Sequence, residues 1–251
     1  MFVGLNFETY RNSPTEQLRT ADLLDLLPRG RSTILEIGPR DGYHTRQLTE
    51  IFEAVTAIDL NKPAFDIPRV IPLAGNVTQL AFPDRSFDCV LCAEVLEHVP
   101  NVAKAALEIA RVAKHEVLIG VPYRQDIRVA RLTCSSCGKV NPAFGHVNTF
   151  DEYRLQALFP DFETVAIHWV GSRAMRTNAI STFLMDLAGN PWGTYGQEEG
   201  CNHCGAMMQP PASRSLPQRI AGKLAHVLNC LQRPFVKATA NWIHLLFRRP
   251  I

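Results

Sequence analysis

The run Thr33–Leu48, TILEIGPRDGYHTRQL, constrains the chain more than any other stretch. Ile34, Leu35 and Ile37 form a short apolar segment that ends in an acid-bearing, glycine-containing turn, and Leu48, Ile51 and Phe52 then recur at helical spacing. Strand, tight turn and helix in that order is the unit with which a parallel α/β sheet points backbone N–H groups at a nucleotide-like ligand. A second apolar run, Ala54 to Ile58, ends at Asp59, 21 positions after Gly38. An acid at that distance, at the tip of a second strand, suits the two hydroxyls of a ribose.

The turn argues against a dinucleotide. A pyrophosphate site wants G-x-G-x-x-G, whereas here only Gly38 and Gly42 are present, with Pro39, Arg40 and Asp41 between them. Glu36 and Asp41 would set negative charge beside a pyrophosphate, yet they suit a ligand carrying a sulfonium and an ammonium group. The segment therefore fits S-adenosylmethionine better.

Three further signatures follow in order. Gly75-Asn76-Val77 closes a third apolar run, Phe82-Pro83-Asp84-Arg85-Ser86-Phe87-Asp88 leads into a fourth (Cys89 to Ala93), and Glu94-Val95-Leu96-Glu97-His98-Val99 comes after it. From Ser32 to about Pro122 the chain resembles the class I S-adenosylmethionine-dependent methyltransferases of the methyltransferase type 11 kind, the broad group acting on small molecules, sugars and lipids. The resemblance implies that Glu36, Gly38 and Gly42 shape the pocket for the methionine end of the cofactor. It implies that Asp59, with Leu60 beside it, holds the ribose, that Asn76 and the Val77 backbone read the adenine edge, and that the Cys92–Ala93 backbone faces the amino group. Two positions depart from the family pattern: Arg40 stands where glycine is usual, and Asn76 replaces an aspartate, although its carbonyl oxygen can still meet an adenine amino group.

At 251 residues the chain can bury one sizeable core with an appended element. It has no 18-residue apolar run, and Met1 to Tyr10 lacks a basic region followed by an apolar core, so neither a transmembrane helix nor a signal peptide is expected. A reducing cytoplasm is the expected compartment, and its cysteines then read as metal ligands or core residues before disulfides.

Ser13-Pro14-Thr15-Glu16 is a capping box with proline at the first helical position, opening an N-terminal helical segment (1–31) whose helix runs to about Leu27. Strand–helix alternation continues to a buried strand at Val117 to Val121, and Asp151 to Phe159 and Glu163 to Val170 read as helix and strand. This pattern predicts an α/β fold with a doubly wound, mostly parallel sheet, and the resemblance implies a methyltransferase domain over 32–170 with an insertion at 123–150.

Cys134-Ser135-Ser136-Cys137-Gly138 and Cys201-Asn202-His203-Cys204-Gly205 share one design. Two thiolates with two residues between them bite one metal ion, and the following glycine lets the backbone turn so that N–H groups approach sulfur. Cys134, Cys137, Cys201 and Cys204 together make a tetrahedral zinc site that staples the insertion to a knuckle segment at 171–205. Cys89-Val90-Leu91-Cys92 has the same spacing but lies on a strand, where residues three apart point to opposite faces, so it is not a ligand pair.

Transfer to a hydroxyl needs a base, for which His146 is the first candidate and His98 the second. Tyr123, Arg124 and Asp126 follow the fifth strand, where substrate contacts are expected. Asn141-Pro142-Ala143-Phe144 resembles a motif of methyltransferases acting on planar amino groups, but it lies beyond the fifth strand rather than the fourth and is set aside.

After Glu199 there is no Asp or Glu, whereas residues 206–251 hold seven Lys and Arg, a +7 segment on a −5 remainder. Ile220, Leu224, Val227, Leu228 and Leu231 share one helical face there, and Phe235 and Trp242 to Phe247 follow the Pro234 break. A basic amphipathic tail of this kind implies peripheral contact with the inner membrane surface, or packing on the body or on a second copy as a homodimer. The expected function is methyl transfer to a small-molecule acceptor, a sugar or lipid-linked glycan hydroxyl. The alternatives are an RNA methyltransferase, for which nucleic-acid recognition signals are the weaker, and a non-catalytic cofactor-binding partner subunit.

Overall fold

The computed structural model describes residues 11–196 and 200–250. Residues 1–10, where no signal peptide is expected and which begin the expected segment 1–31, lie outside the described residues. The chain folds into two compact units: one built from Pro14–Tyr123, Phe150–Gly171 and Ala240–Ile251, the other including Arg124–Thr149 and Ser172–Thr239.

The first unit is a sheet with helices on it. Strands β1 (Thr33–Ile37), β2 (Ala54–Asp59), β3 (Val70–Ala74), β4 (Phe87–Ala93) and β5 (Ala113–Pro122) are parallel, and β8 (Glu163–Val170) and β9 (Trp242–Arg248) complete the order β3-β2-β1-β4-β5-β9-β8. Strand β9 runs antiparallel to both of its neighbours. Helix α1 (Pro14–Leu26) precedes β1, and helices α2 (Tyr43–Leu48), α3 (Val102–Val112) and α4 (Glu152–Leu158) lie in connections between strands.

Alternation along each strand feeds two apolar clusters. Leu35, Ile37, Val90 and Cys92 join Ala105, Ile109 and Val112 of α3, whereas Ile34, Cys89 and Leu91 join Leu23 and Leu26 of α1 with Leu48 and Phe52. Each fully buried Leu, Ile or Phe contributes about 1.5–3 kcal/mol, so the two clusters supply most of what holds the unit. Asp22 of α1 ties that helix to the two antiparallel strands by accepting from Nδ1 of His168 (2.7 Å) and Nδ1 of His244 (2.6 Å).

Strand β9 corrects the sequence reading of 206–251 as a single tail. Trp242–Arg248 is an interior strand with Ile243, Leu245 and Phe247 fully buried. The helical part of that stretch is real: α6 (Leu216–Gln232) opens on a capping box of Ser215 and Gln218. It belongs to the second unit, where it packs on α5 (Ala179–Leu187). This unit also holds a two-stranded ribbon, β6 (Leu132–Thr133) with β7 (Val140–Asn141).

Candidate cofactor edge and metal centre

The carboxyl ends of β1, β2 and β4 line up because Ile37 is in register with both Ile58 and Cys92. Gly38 donates its N–H to the Ile58 carbonyl at 2.9 Å and turns there with φ 76°; a β-carbon at this position would collide with Val95. Gly42 starts α2 with φ 79°, and its β-carbon would come within 2.8 Å of the Phe65 ring. Arg40, the departure from glycine, holds φ 52°. The loop thus keeps a glycine-like backbone shape and tolerates the strain, of order 1 kcal/mol, of a side chain there.

Glu36, at 3% exposure, accepts a 2.6 Å hydrogen bond from Thr45 Oγ1 of α2. Burial raises its carboxyl to about 7 despite that bond. Asp59 stands half-buried at the end of β2, its Oδ1 accepting the Leu60 N–H at 2.7 Å, and Leu60 itself is exposed. Asn76 behaves differently from expectation. Its side-chain oxygen accepts from both the N–H and the hydroxyl of Thr78, each at 2.9 Å, so it braces its own turn, while Val77 is buried. Cys92 is buried and burial keeps its thiol protonated; Ala93 is half-buried at the strand end.

Just past β4 lies an acid cluster. Glu94 sits at φ 56° and receives the Trp242 indole N–H at 3.2 Å. Its other oxygen lies 3.7 Å from Arg19, which is itself paired with Glu16 and stacked 5.4 Å from the Trp242 ring centre. Glu97, 1% exposed, has both carboxylate oxygens buried without a hydrogen-bond partner. Burial first, and the nearby Glu94 charge second, hold this carboxyl well above the usual range, so it carries its proton. A ring nitrogen of His98 lies within 4.8 Å of it.

In the second unit the four knuckle cysteines converge, their sulfurs all within 4.8 Å of one another. The closest pairs are Cys134–Cys204 at 3.7 Å and Cys137–Cys201 at 3.6 Å. The two knuckles repeat one backbone design. Gly138 N–H donates to Cys134 O at 2.9 Å with φ 70°, and Gly205 N–H donates to Cys201 O at 2.8 Å with φ 71°. Asn141 is buried against them: its amide donates to Cys201 Sγ at 3.4 Å and its oxygen accepts the Asn202 N–H at 2.9 Å. Burial pushes the Cys201 thiol up, but N–H groups from His203 and Cys204 and the Asn141 amide outweigh it and bring it down to about 6. Four soft donors with at least one thiolate favoured are the chemistry of a closed zinc site.

Comparison with known proteins bears on the sheet unit. Residues 35–119 match the family described as a methyltransferase domain. A probable S-adenosylmethionine-dependent methyltransferase of Mycobacterium tuberculosis is 31% identical over 93 residues, covering 35% of this chain and 34% of that protein, so the match spans about a third of the relative's length. Among solved structures, a candidate methyltransferase of Bacillus halodurans C-125 shares the fold with a TM-score of 0.60 at 15% identity, over 92% of this chain and 99% of that one. The N-methyltransferase NodS of Bradyrhizobium japonicum WM9, in complex with S-adenosyl-L-homocysteine, gives 0.54 at 15% identity over 97% and 91%.

The sheet unit has the fold of these methyltransferases, and its residues 35–119 match a methyltransferase domain.

Within the matched stretch 35–119 lie all the sequence-predicted cofactor positions, together with His98, which is half-buried in the turn Leu96–His98. His146 belongs to the second unit, 8% exposed, with Nδ1 2.6 Å from Gln125 Oε1. Cys89 and Cys92 are buried in the sheet. Sequence reasoning gave no role to Arg19, Glu94 or Glu97, and read Trp242 as part of the amphipathic stretch after Pro234. The signal present was the pair of acids after the fourth strand; their partners come from α1 and β9, far away in sequence. Asn141 was also undervalued, since its buried place against the knuckles depends on the β6–β7 ribbon.

Proposed function

We propose that this chain transfers the methyl group of S-adenosylmethionine to a small-molecule acceptor, a hydroxyl of a sugar or lipid-linked glycan. One observation carries the cofactor half: Gly38, Asp59 and Ala93 follow three strand positions held in register at one sheet edge. Asp59 would take the ribose hydroxyls with Leu60 beside it. Glu36, Gly38 and Gly42 would shape the methionine end, Asn76 and Val77 the adenine edge, and the Cys92–Ala93 backbone would face the amino group. A buried carboxyl such as Glu36 favours a ligand bearing positive charge and disfavours a pyrophosphate.

When bound, S-adenosylmethionine supplies a carbon already activated by its sulfonium, which leaves the protein mainly to align the acceptor. The acceptor's proton must still be taken up, and His146 is assigned that role before His98. The four cysteines would hold zinc with no open position, so the metal would fix the second unit and take no part in the chemistry. The glycan preference rests on the sequence resemblance to methyltransferases acting on small molecules, sugars and lipids, and on the membrane-compatible basic stretch within 206–251.

Isothermal titration tests the cofactor half. Asp59→Ala should lose roughly ten- to a hundredfold in S-adenosylmethionine affinity, the scale of a lost hydrogen bond to a charged group. Unchanged affinity, or tight NAD binding by the wild type, would sink it. Labelled methyl transfer into glycan, lipid and RNA fractions of an extract tests the acceptor, and label confined to RNA would overturn it.

A further inference from the structure

Helices α5 and α6 are packed with their polarity inverted. The residues they turn inward are small or polar: Ser181, Thr182 and Ala188 on one side, Gly222 and Ala225 on the other. A β-carbon on Gly222 would approach Ala188 Cβ to 3.3 Å, so the two backbones run close together. Outward, by contrast, α6 presents Leu216, Ile220, Leu224, Val227 and Leu231, spaced as one continuous stripe and each about half exposed or more. Ile180, Phe183 and Leu187 form a matching exposed stripe on α5. Trp192 (53% exposed) and Phe235 (85%) are exposed in the same unit. A hairpin built for water would carry these residues the other way round.

Charge is organised around the same face. Arg219 and Lys223 flank the α6 stripe one residue away from Ile220 and Leu224, and Arg214, Arg233 and Lys237 follow close by in sequence on either side of the helix. The one acid of the hairpin, Asp186, turns aside to Arg131 and Asn190. Arg214 lies over the Trp192 ring at 6.0 Å, an aromatic with a cation beside it. An aliphatic stripe on α6 bordered by Arg219 and Lys223 matches an anionic lipid surface in both polarity and sign. Among the described residues no helix is long and apolar enough to cross a membrane, so contact is with one leaflet.

We infer that the α5–α6 face seats the protein on an anionic bilayer, with Ile220, Leu224, Phe183 and Leu187 entering the acyl boundary and Arg219 and Lys223 meeting the headgroups. The surface lies wholly within the second unit, and the inference stands independently of the acceptor proposed above. It also moves the membrane contact expected from sequence away from Trp242–Phe247, of which the sheet buries Ile243 to Phe247.

The test is flotation of the full-length protein with vesicles of phosphatidylcholine alone or with roughly one-third phosphatidylglycerol. Binding is expected only to the anionic vesicles, weakening roughly tenfold or more on raising salt from about 0.1 to about 0.5 M. The double variant Ile220→Asp with Leu224→Asp should stay in the unbound fraction while keeping its melting temperature. A second measurement uses folded protein with its stripe intact: brominated lipids should quench tryptophan fluorescence in the wild type and much less in Trp192→Phe. Equal binding to neutral vesicles, undiminished binding of the double variant, absence of lipid quenching, or a wild type that ignores vesicles and sediments as a dimer would each overturn the inference.

Discussion

Trp242 donates its indole N–H to the Glu94 carboxylate at 3.2 Å, across 148 residues of sequence. The bond joins the first residue of β9 to the residue that leaves β4, and Arg19 of α1 lies against both partners. Three distant segments therefore meet beside the cofactor edge. Trp242→Phe should lower the melting temperature by roughly 4–8 °C per kcal/mol lost in a domain of about 100 residues, or half that in a larger one, for a bond worth about 1.5–3 kcal/mol. A chain ended at Ser213 lacks β9 altogether and should show no cooperative melt by circular dichroism. A melt close to that of the full chain would mean that β8 can pair with β5 directly.

Elemental analysis should find one zinc per chain, and Cys137→Ser or Cys204→Ser should release it and lower the melting temperature. Asn141→Ala should keep the metal but weaken its affinity by roughly 10–100-fold in a chelator competition, the usual effect of removing a group that orients a ligand. Retention of full zinc in both cysteine variants would remove those residues from the site.

Much of this was readable in advance. The strand–turn–helix around Gly38 was legible because its strands, buried on both faces, are near-continuous apolar runs closed by turn residues. The knuckles were legible because their spacing is itself the chemistry. Strand β9 was not: Ile243 to Phe247 is equally apolar, but it follows an amphipathic helix and reads as a continuation of it. Nothing local says that such a run belongs between strands made more than 70 residues earlier. Glu97 was missed for a related reason, since its unpaired, protonated state depends on burial that only the assembled core provides.

Glu36 should make the cofactor-free protein less stable as pH rises. An unfolded chain releases this proton near 4.5, whereas the folded one holds it to about 7. The contribution is therefore full below about 4.5 and is lost as pH climbs through 7. Glu36→Gln removes the titration while keeping an acceptor for Thr45, and should gain roughly 1–3 kcal/mol over the wild type at about pH 8 and nothing at low pH. Its S-adenosylmethionine affinity should fall at the same time. Identical melting curves at high pH would place the Glu36 carboxyl in the ordinary range.

The two histidines separate by kinetics. His146→Ala should reduce turnover on a hydroxyl acceptor by roughly 10²–10⁴-fold with cofactor affinity nearly unchanged. Wild-type turnover in that variant, with zinc still bound, would make the residue a partner of Gln125 and nothing more. The same measurement on His98→Ala then decides whether the base lies in the sheet unit.

The placement of β9 between β5 and β8 sets an order of events during synthesis. Strands β1 to β5 can align as soon as residue 122 is made, but the β5 edge, from Val117 to Val121, then faces water with its hydrogen bonds unmade. Strand β8 emerges next and has no neighbour to pair with until residues 242–248 arrive. Closing the sheet thus waits on the most non-local pairings in the molecule, which are slow to find. During that interval two apolar edges stand open to any other chain nearby. A protein built this way should be most prone to aggregate while still on the ribosome, and holding back chaperones should cost yield far more than it costs stability once the last strand is in place.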